Sequence, residues 1–422
     1  MVKFIINGGK PLEGIIEVKG AKNAALKIFP LALMTEEKIR ISNLPEIEDV
    51  KRAEEMLVAL GHSVKNIKKG EAEIQRKSKK CVNLSAELVR KFRASIMFVG
   101  PLLATCGEAF FPHPGGCVIG AGTRPIDIFL DGFIKMGVKV EKKENEYRLT
   151  AKRIKGAEFF FQRVSVTATE SLMTTACLAK GKTILKNCAM EPEITALANF
   201  LNSIGAKIEG AGTPTIKITG VEKLRGGEYK IIPDRIEAGS FAIMAAASNR
   251  GKVIIQNCEP QHIEALWGIF DRIRVNYKIE KDSVIISPSK KIIATDITTH
   301  EYPGFATDLQ SPYTVLMTQA HGSSLIHETI YDRRLLFTYL LAQMGANIIM
   351  ADPHRVVVSG PTELHGRKLV SPDLRAGMAL VIAALAARGK TEIENIYQIE
   401  RGYEDLVGRL KGLGAEIEKI NN

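Results

Sequence analysis

Apolar positions along the chain keep two alternating rhythms, one near 3.6 residues and one of two, and the alternation itself recurs. Six times a helical run ends on an apolar residue, passes through Gly-Ala or a relative, and enters an alternating stretch. The markers are Gly61, Gly137, Gly205, Arg274, Gly345 and Gly414, spaced 68 to 76 residues apart. Counting back one, four, eight and eleven residues from each marker traces one helix face. In the first unit it is Leu60, Leu57, Ala53 and Val50; in the sixth it is Leu413, Leu410, Leu406 and Tyr403. Three residues beyond each marker stands a strand residue such as Val64, Val140 or Ile417. A glycine at the marker suits a left-handed helix cap. Arg274 breaks that rule, which predicts a different helix ending in the fourth unit.

Each unit opens with an earlier and more apolar helix, for example NAALKIFPLALM in the first and RAGMALVIAALAA in the sixth. Short strands follow several of these, as in GKTILKNC and GKVIIQNC. The pattern predicts an α/β (α+β) protein in which the apolar helices lie inside and the amphipathic ones sit across a sheet. Six units divide into three and three near Ile232-Pro233. This gives two similar globular domains, 22–232 with the loop around Cys117, and 1–21 plus 233–422 with Asp308, Arg375 and Arg401. The first strand, Lys3 to Asn7, is expected to form a hairpin with Gly14 to Val18.

At 422 residues the chain exceeds what one core usually supports. Apolar residues at 45% and charged residues at 25% are ordinary for a soluble globular protein. The longest apolar stretch, Gly377 to Ala387, is too short to cross a bilayer, and the amino terminus reads as a strand rather than a signal peptide. Six cysteines without paired spacing suggest a reducing cytoplasm, and eight scattered histidines propose no metal. A net charge of +11 favours anionic partners. The basic residues are dispersed and do not interleave with the few aromatics, which disfavours a nucleic-acid platform.

Chemistry gathers in two places. The stretch FPHPGGCVIGAGTR, Phe111 to Arg124, sets Cys117 among four glycines, where a thiol stays reachable; alone it reads as a flexible loop with an incidental thiol. The heads of the inner helices carry Lys22-Asn23, Arg93, Ser165-Val166-Thr167, Asp234-Arg235, Asp308, and Asp373 with Arg375. Capping accounts for Ser165, Asp234, Asp308 and Asp373. It does not account for Lys22, Arg93, Arg235 and Arg375, because cations disfavour helix N-termini. An anionic ligand in an interdomain cleft would explain them. Arg334 is a charge on an otherwise apolar helix face, either a solvated end or a ligand contact.

Ten motifs in order then resemble one family over nearly the full length: GAKNAAL at Gly20, FRAS at Phe92, PGGCVIG at Pro114, RPID at Arg124, EPEI at Glu191, IPDRIE at Ile232, FATD at Phe305, ETIYDRR at Glu328, DLRA at Asp373 and ERGYE at Glu400. The chain resembles the UDP-N-acetylglucosamine enolpyruvyl transferases. The resemblance implies an inside-out α/β barrel in each of two domains that close on substrate. It implies transfer of the enolpyruvyl group of phosphoenolpyruvate to the 3-hydroxyl of UDP-N-acetylglucosamine with release of phosphate, the first committed step of peptidoglycan synthesis, in the cytoplasm. No metal or organic cofactor is implied.

Carried over residue by residue, Lys22, Arg93, Cys117, Arg124 and Arg401 match contacts to phosphoenolpyruvate or its phosphate, with Arg375 at the same anionic centre. Asp308 matches the residue proposed to take the hydroxyl proton, and Asn23 a contact to the sugar and reacting centre. Arg124, Pro125, Asp127, Ser165, Val166 and Ile330 match the nucleotide-sugar pocket, and Arg334 matches the arginine of the ENRF-type segment. Cys117 matches the loop cysteine alkylated by fosfomycin, which predicts sensitivity to that epoxide. Departures are the longer GAGTRP loop, and Phe129, Thr167, Arg333 and Gln398 in place of histidine, glycine, asparagine and histidine. Two other readings remain. One is transfer to shikimate 3-phosphate, disfavoured by Lys22-Asn23 and the loop thiol; the other is a non-catalytic phosphate- or nucleic-acid-binding repeat protein.

Overall fold

The six alternations become six small sheets. The computed structural model describes residues 2–77, 84, 86–91, 93–112, 126–144 and 146–421. These separate into two units, one made of 2–19 with 233–421, the other of the remaining described residues between Gly20 and Ile232.

The sheets share one plan, seen in the fifth unit. The strand after the inner helix, Gly322–His327, pairs antiparallel with Arg355–Gly360, which pairs antiparallel with Asn347–Asp352. A short parallel strand, Ile297–Thr298, closes the other edge. In the first unit that parallel edge is Gly227–Lys230, drawn from the end of the third. Among the described residues the second sheet has three strands, Glu108–Pro112, Glu146–Thr150 and Lys139–Lys143.

The amino-terminal strands depart from the predicted hairpin. Val2–Asn7 lies between Lys390–Glu394 and Glu416–Asn421, antiparallel to both, and so completes the sixth sheet. Gly14–Glu17 instead pairs parallel with Val253–Gln256 in the fourth. The physical reason is the shared plan: Val2–Asn7 takes the middle-strand place that Arg355–Gly360 holds in the fifth sheet, between the strand after the inner helix and the strand after the outer one.

The inner helices are buried nearly all round. In the carboxy-terminal unit Arg235–Ser248, Thr307–Thr318 and Leu374–Ala386 pack on one another, with Phe241, Tyr313 and Leu380 fully enclosed. In the other unit Ala24 to Leu31 of the helix Lys22–Leu31 are all buried. The amphipathic helices lie as predicted, and the traced face is buried in every unit, Arg334 included at 4% exposure.

Helix endings show why the repeat is so regular. After Gly137, Gly205, Gly345 and Gly414 the next amide bonds back to a carbonyl five residues earlier, as in Val138 N–H to Phe133 O at 3.0 Å. Each marker residue is left-handed. The fourth unit ends its helix in the same way, contrary to the different ending that Arg274 predicts. Arg274 adopts φ +63° and makes the same closure, Val275 N–H to Phe270 O at 3.0 Å. The two closing bonds and burial of Val275 outweigh the strain on an exposed arginine backbone.

Among the described residues no helix is long and apolar enough to cross a membrane. Cys177, Cys188 and Cys258 are buried free thiols, whereas Cys106 is disulfide-bonded, which cysteine spacing did not disclose.

Candidate active site

In the carboxy-terminal unit three sequence-predicted residues meet directly. Asp308 is the second residue of Thr307–Thr318, so its carboxyl projects from a helix start, where negative charge is favoured. Its Oδ1 accepts from Arg334 Nη2 at 2.8 Å, and its Oδ2 accepts from Arg375 Nε at 3.0 Å, with Nη2 of the same arginine at 2.9 Å. The Arg375 contact is thus bidentate in donors, the stronger form of charge-assisted bond. Burial would raise the Asp308 carboxyl, but Arg375 and then Arg334 outweigh it and hold the group well below the usual carboxylate range.

Both arginines are enclosed. Arg375 is the second residue of its helix, capped by Asp373, whose side chain accepts the amides of Arg375 and Ala376 at 2.8 and 2.9 Å. Arg375 Nη1 lies 3.4 Å from the Tyr403 hydroxyl, which in turn is 3.1 Å from Ser240 Oγ. Arg334 spends its other terminal nitrogen on Thr307 Oγ1 at 2.8 Å and stacks over Tyr331. Burial works against both guanidinium charges; Asp308 is the leading opposing influence and leaves both pKa values raised. Ile330 reaches the same cluster through its backbone, as its amide donates to Glu328 Oε1 at 2.8 Å. Arg401 is buried and donates to Gln398 Oε1 at 3.1 Å.

The amino-terminal unit holds its candidates differently. Lys22 opens its helix without a side-chain cap, and its Nζ sits 2.6 Å from Asp49 Oδ2 in the first turn of Glu48–Ala59. That carboxylate answers part of the question posed by a cation at a helix head. Asn23 and Arg93 are half-buried at the starts of their helices. Ser165 caps Val166–Ala176 by accepting from Ala168 N–H at 3.3 Å. Val166 is that helix's first residue, and Asp127 is exposed at the first position of Asp127–Lys135. Phe129, two residues on, faces inward at 5% exposure and serves the core. Cys117, Arg124 and Pro125 lie outside the described residues.

Several polar residues here escaped the sequence reading. Glu328, Thr307 and Tyr403 complete the Asp308 cluster; all three stand in recognised motifs, and the periodicity gives Tyr403 only a place on a helix face. Lys27 and Glu170 form a buried ion pair between two inner helices. The available signal was a lysine inside the apolar run NAALKIFPL. Asp49 gave no signal.

The EPSP synthase (3-phosphoshikimate 1-carboxyvinyltransferase) family model matches residues 6–410, which places the chain among the 1-carboxyvinyl, or enolpyruvyl, transferases. The solved enolpyruvyl transferase NikO from Streptomyces tendae superposes with a TM-score of 0.91 over 100% of this chain and 99% of its own, at 24% identity, a likeness of fold. Sequence relatives are nearer. The UDP-N-acetylglucosamine 1-carboxyvinyltransferase of Koribacter versatilis is 44% identical over 100% of this chain and 97% of its own. That of Treponema denticola is 42% identical over 99% of each. The chain belongs to the UDP-N-acetylglucosamine 1-carboxyvinyltransferase family.

Proposed function

We infer that the chain transfers the enolpyruvyl group of phosphoenolpyruvate to the 3-hydroxyl of UDP-N-acetylglucosamine, releasing phosphate, as the first committed step of peptidoglycan synthesis. Full-length identity to transferases named for that acceptor supports the reaction. The observation that carries the site is the Asp308 carboxylate clamped between two buried arginines at a helix start. A cytoplasmic place of action belongs to the same reading.

The residue roles follow from charge. Phosphoenolpyruvate brings a carboxylate and a phosphate, and guanidinium forks suit both. Lys22, Arg93, Arg124, Arg375 and Arg401 are the cations assigned to them, and Asn23, Arg124, Pro125, Asp127, Ser165, Val166, Ile330 and Arg334 to the nucleotide-sugar side. In the addition step the sugar oxygen bonds to C2 of phosphoenolpyruvate, its proton passes to Asp308, and C3 gains a proton. In the elimination step C3 loses a proton, the C2–O bond to phosphate breaks, and the double bond returns. Asp308 stays ionised at any working pH, ready to accept. Its low basicity fits a transfer that proceeds while the new C–O bond forms, when the hydroxyl becomes acidic. Cys117 serves the loop chemistry, as proton donor or in product release.

Phosphate release from phosphoenolpyruvate, measured with UDP-N-acetylglucosamine and separately with shikimate 3-phosphate, tests the reading. Release with the nucleotide sugar is expected, and release only with shikimate 3-phosphate would sink it. Fosfomycin should add one adduct by intact mass that Cys117→Ser abolishes; an unmodified wild-type protein contradicts the thiol assignment.

A further inference from the structure

Glu328 is fully buried, and its two oxygens do different work. Oε1 accepts the amides of Ile330 and Tyr331 at 2.8 and 3.0 Å, an ordinary local use that fixes the turn after Gly322–His327. Oε2 accepts instead from Thr307 Oγ1, 21 residues away, at 2.8 Å. Thr307 Oγ1 in turn accepts from Arg334 Nη1 at 2.8 Å, and Arg334 Nη2 donates to Asp308 Oδ1 at 2.8 Å. Arg334 therefore donates in both directions, to Asp308 and to Thr307, and Thr307 passes the second bond on to Glu328, which sets the guanidinium between two carboxylates. The backbone of Glu328 is pinned as well, by His354 through both its carbonyl and its ring at 2.8 and 2.9 Å.

We infer that Glu328 is a positioning residue for Asp308, acting through Thr307 and Arg334, and that it supplies the counter-charge Arg334 needs when Asp308 takes up a proton. This rests on the base role proposed for Asp308. The argument is one of charge balance. Before proton transfer two enclosed guanidiniums share the Asp308 carboxylate. Once that carboxylate is neutral, a buried cation without a partner is strongly disfavoured. Glu328 is one hydroxyl away from Arg334 and is the next carboxylate after Asp308 in sustaining that guanidinium against burial. Its help is therefore larger after proton uptake than before, so it should favour turnover more than substrate binding. A carboxylate that merely capped the turn would need only Oε1.

The test is steady-state kinetics on Glu328→Gln, Thr307→Val and the double variant, using phosphate release. Glu328→Gln keeps an acceptor for both amides and removes the charge; Thr307→Val cuts the relay without touching the turn. Each single change should lower kcat by roughly 10- to 100-fold, the scale on which small misplacements act. KM for the nucleotide sugar should stay within about threefold, the ground-state side of that asymmetry. The double variant should be no worse than the poorer single one, as expected for two links of one chain. Losses that multiply, or a KM rise that accounts for the loss, overturn the proposal. Should Glu328→Gln fail to fold, normal kcat in Thr307→Val overturns it alone. Failure of the underlying reading is distinguishable: an active Asp308→Ala removes the base itself, whereas an inactive Asp308→Ala with unaffected Glu328 and Thr307 variants removes only the relay.

Discussion

Each unit sets a carboxylate against buried cations, and the two carboxylates are driven in opposite directions. Glu170, fully enclosed in the amino-terminal unit, faces one ammonium, that of Lys27, with Glu193 and Glu191 nearby. Burial wins there, and the carboxyl is pushed up to about 7. The Asp308 side chain remains 26% exposed and faces two guanidiniums, so charge wins over burial and its carboxyl is pushed down. Counting cations against desolvation decides the sign. The first arrangement makes a group that holds a proton near neutrality inside a core. The second holds a resting anion at the proposed reaction centre.

The largest break in this comparison should come from Asp308→Asn. Turnover should fall roughly 100-fold or more, as when a general base is lost. Stability at pH 7 should also drop by about 3 kcal/mol, because two enclosed guanidiniums lose their carboxylate. Phosphate release and urea unfolding measure the two effects. Near-normal turnover would remove Asp308 from the base role; unchanged stability would mean the arginines find other partners.

Lys27→Met probes the other side. At pH 8 the variant can keep Glu170 in the core only by binding a proton, because the ammonium that lowers its carboxyl is gone, at a cost of about 3 kcal/mol. At pH 6 the loss should be much smaller, because Glu170 then takes a proton and the neutral acid tolerates the core. Equal losses at both pH values would contradict a carboxyl poised near neutrality.

The wild-type pH dependence carries the same sign. The folded pKa of Glu170, about 7, lies above the reference value of 4.5, so the folded state binds more protons between them. That stabilisation is fully present below pH 4.5 and is lost as pH rises through 7, about 3 kcal/mol at 1.36 kcal/mol per pKa unit. Glu170→Gln should flatten this part of the stability curve while leaving stability at pH 5 nearly unchanged. A variant that keeps the full wild-type slope would assign it to another group.

Much of the frame behind these centres was legible, because the period, the helix faces and the inner helices are written locally and repeated. Arg334 stood out because it broke a face that was otherwise apolar. What stayed hidden spans long separations. Lys27 and Glu170 are 143 residues apart, and nothing local to either names the other. Val2–Asn7 and Gly14–Glu17 read as a hairpin because two alternating strands flank a turn-like segment. Their real partners are fixed by closure of two different sheets. Arg334 and Arg375 were each visible, while their common hold on Asp308 required the fold.

The smallest effect tests whether the two units hang their different centres on one frame. Among the described residues five helices, in both units, end with the same closing bonds, and only one of them uses a residue other than glycine at the left-handed position. For an L-residue that conformation costs about 1 kcal/mol, and Arg274 is exposed, with no side-chain bond needed to hold the turn. Arg274→Gly should therefore stabilise the protein by up to about 1 kcal/mol in urea unfolding, with kcat and KM unchanged. A loss instead would mean that the arginine side chain stabilises this helix end by more than its backbone strain. The fourth unit would then differ from the other four in how its helix is held, and the likeness of frames would stop at geometry.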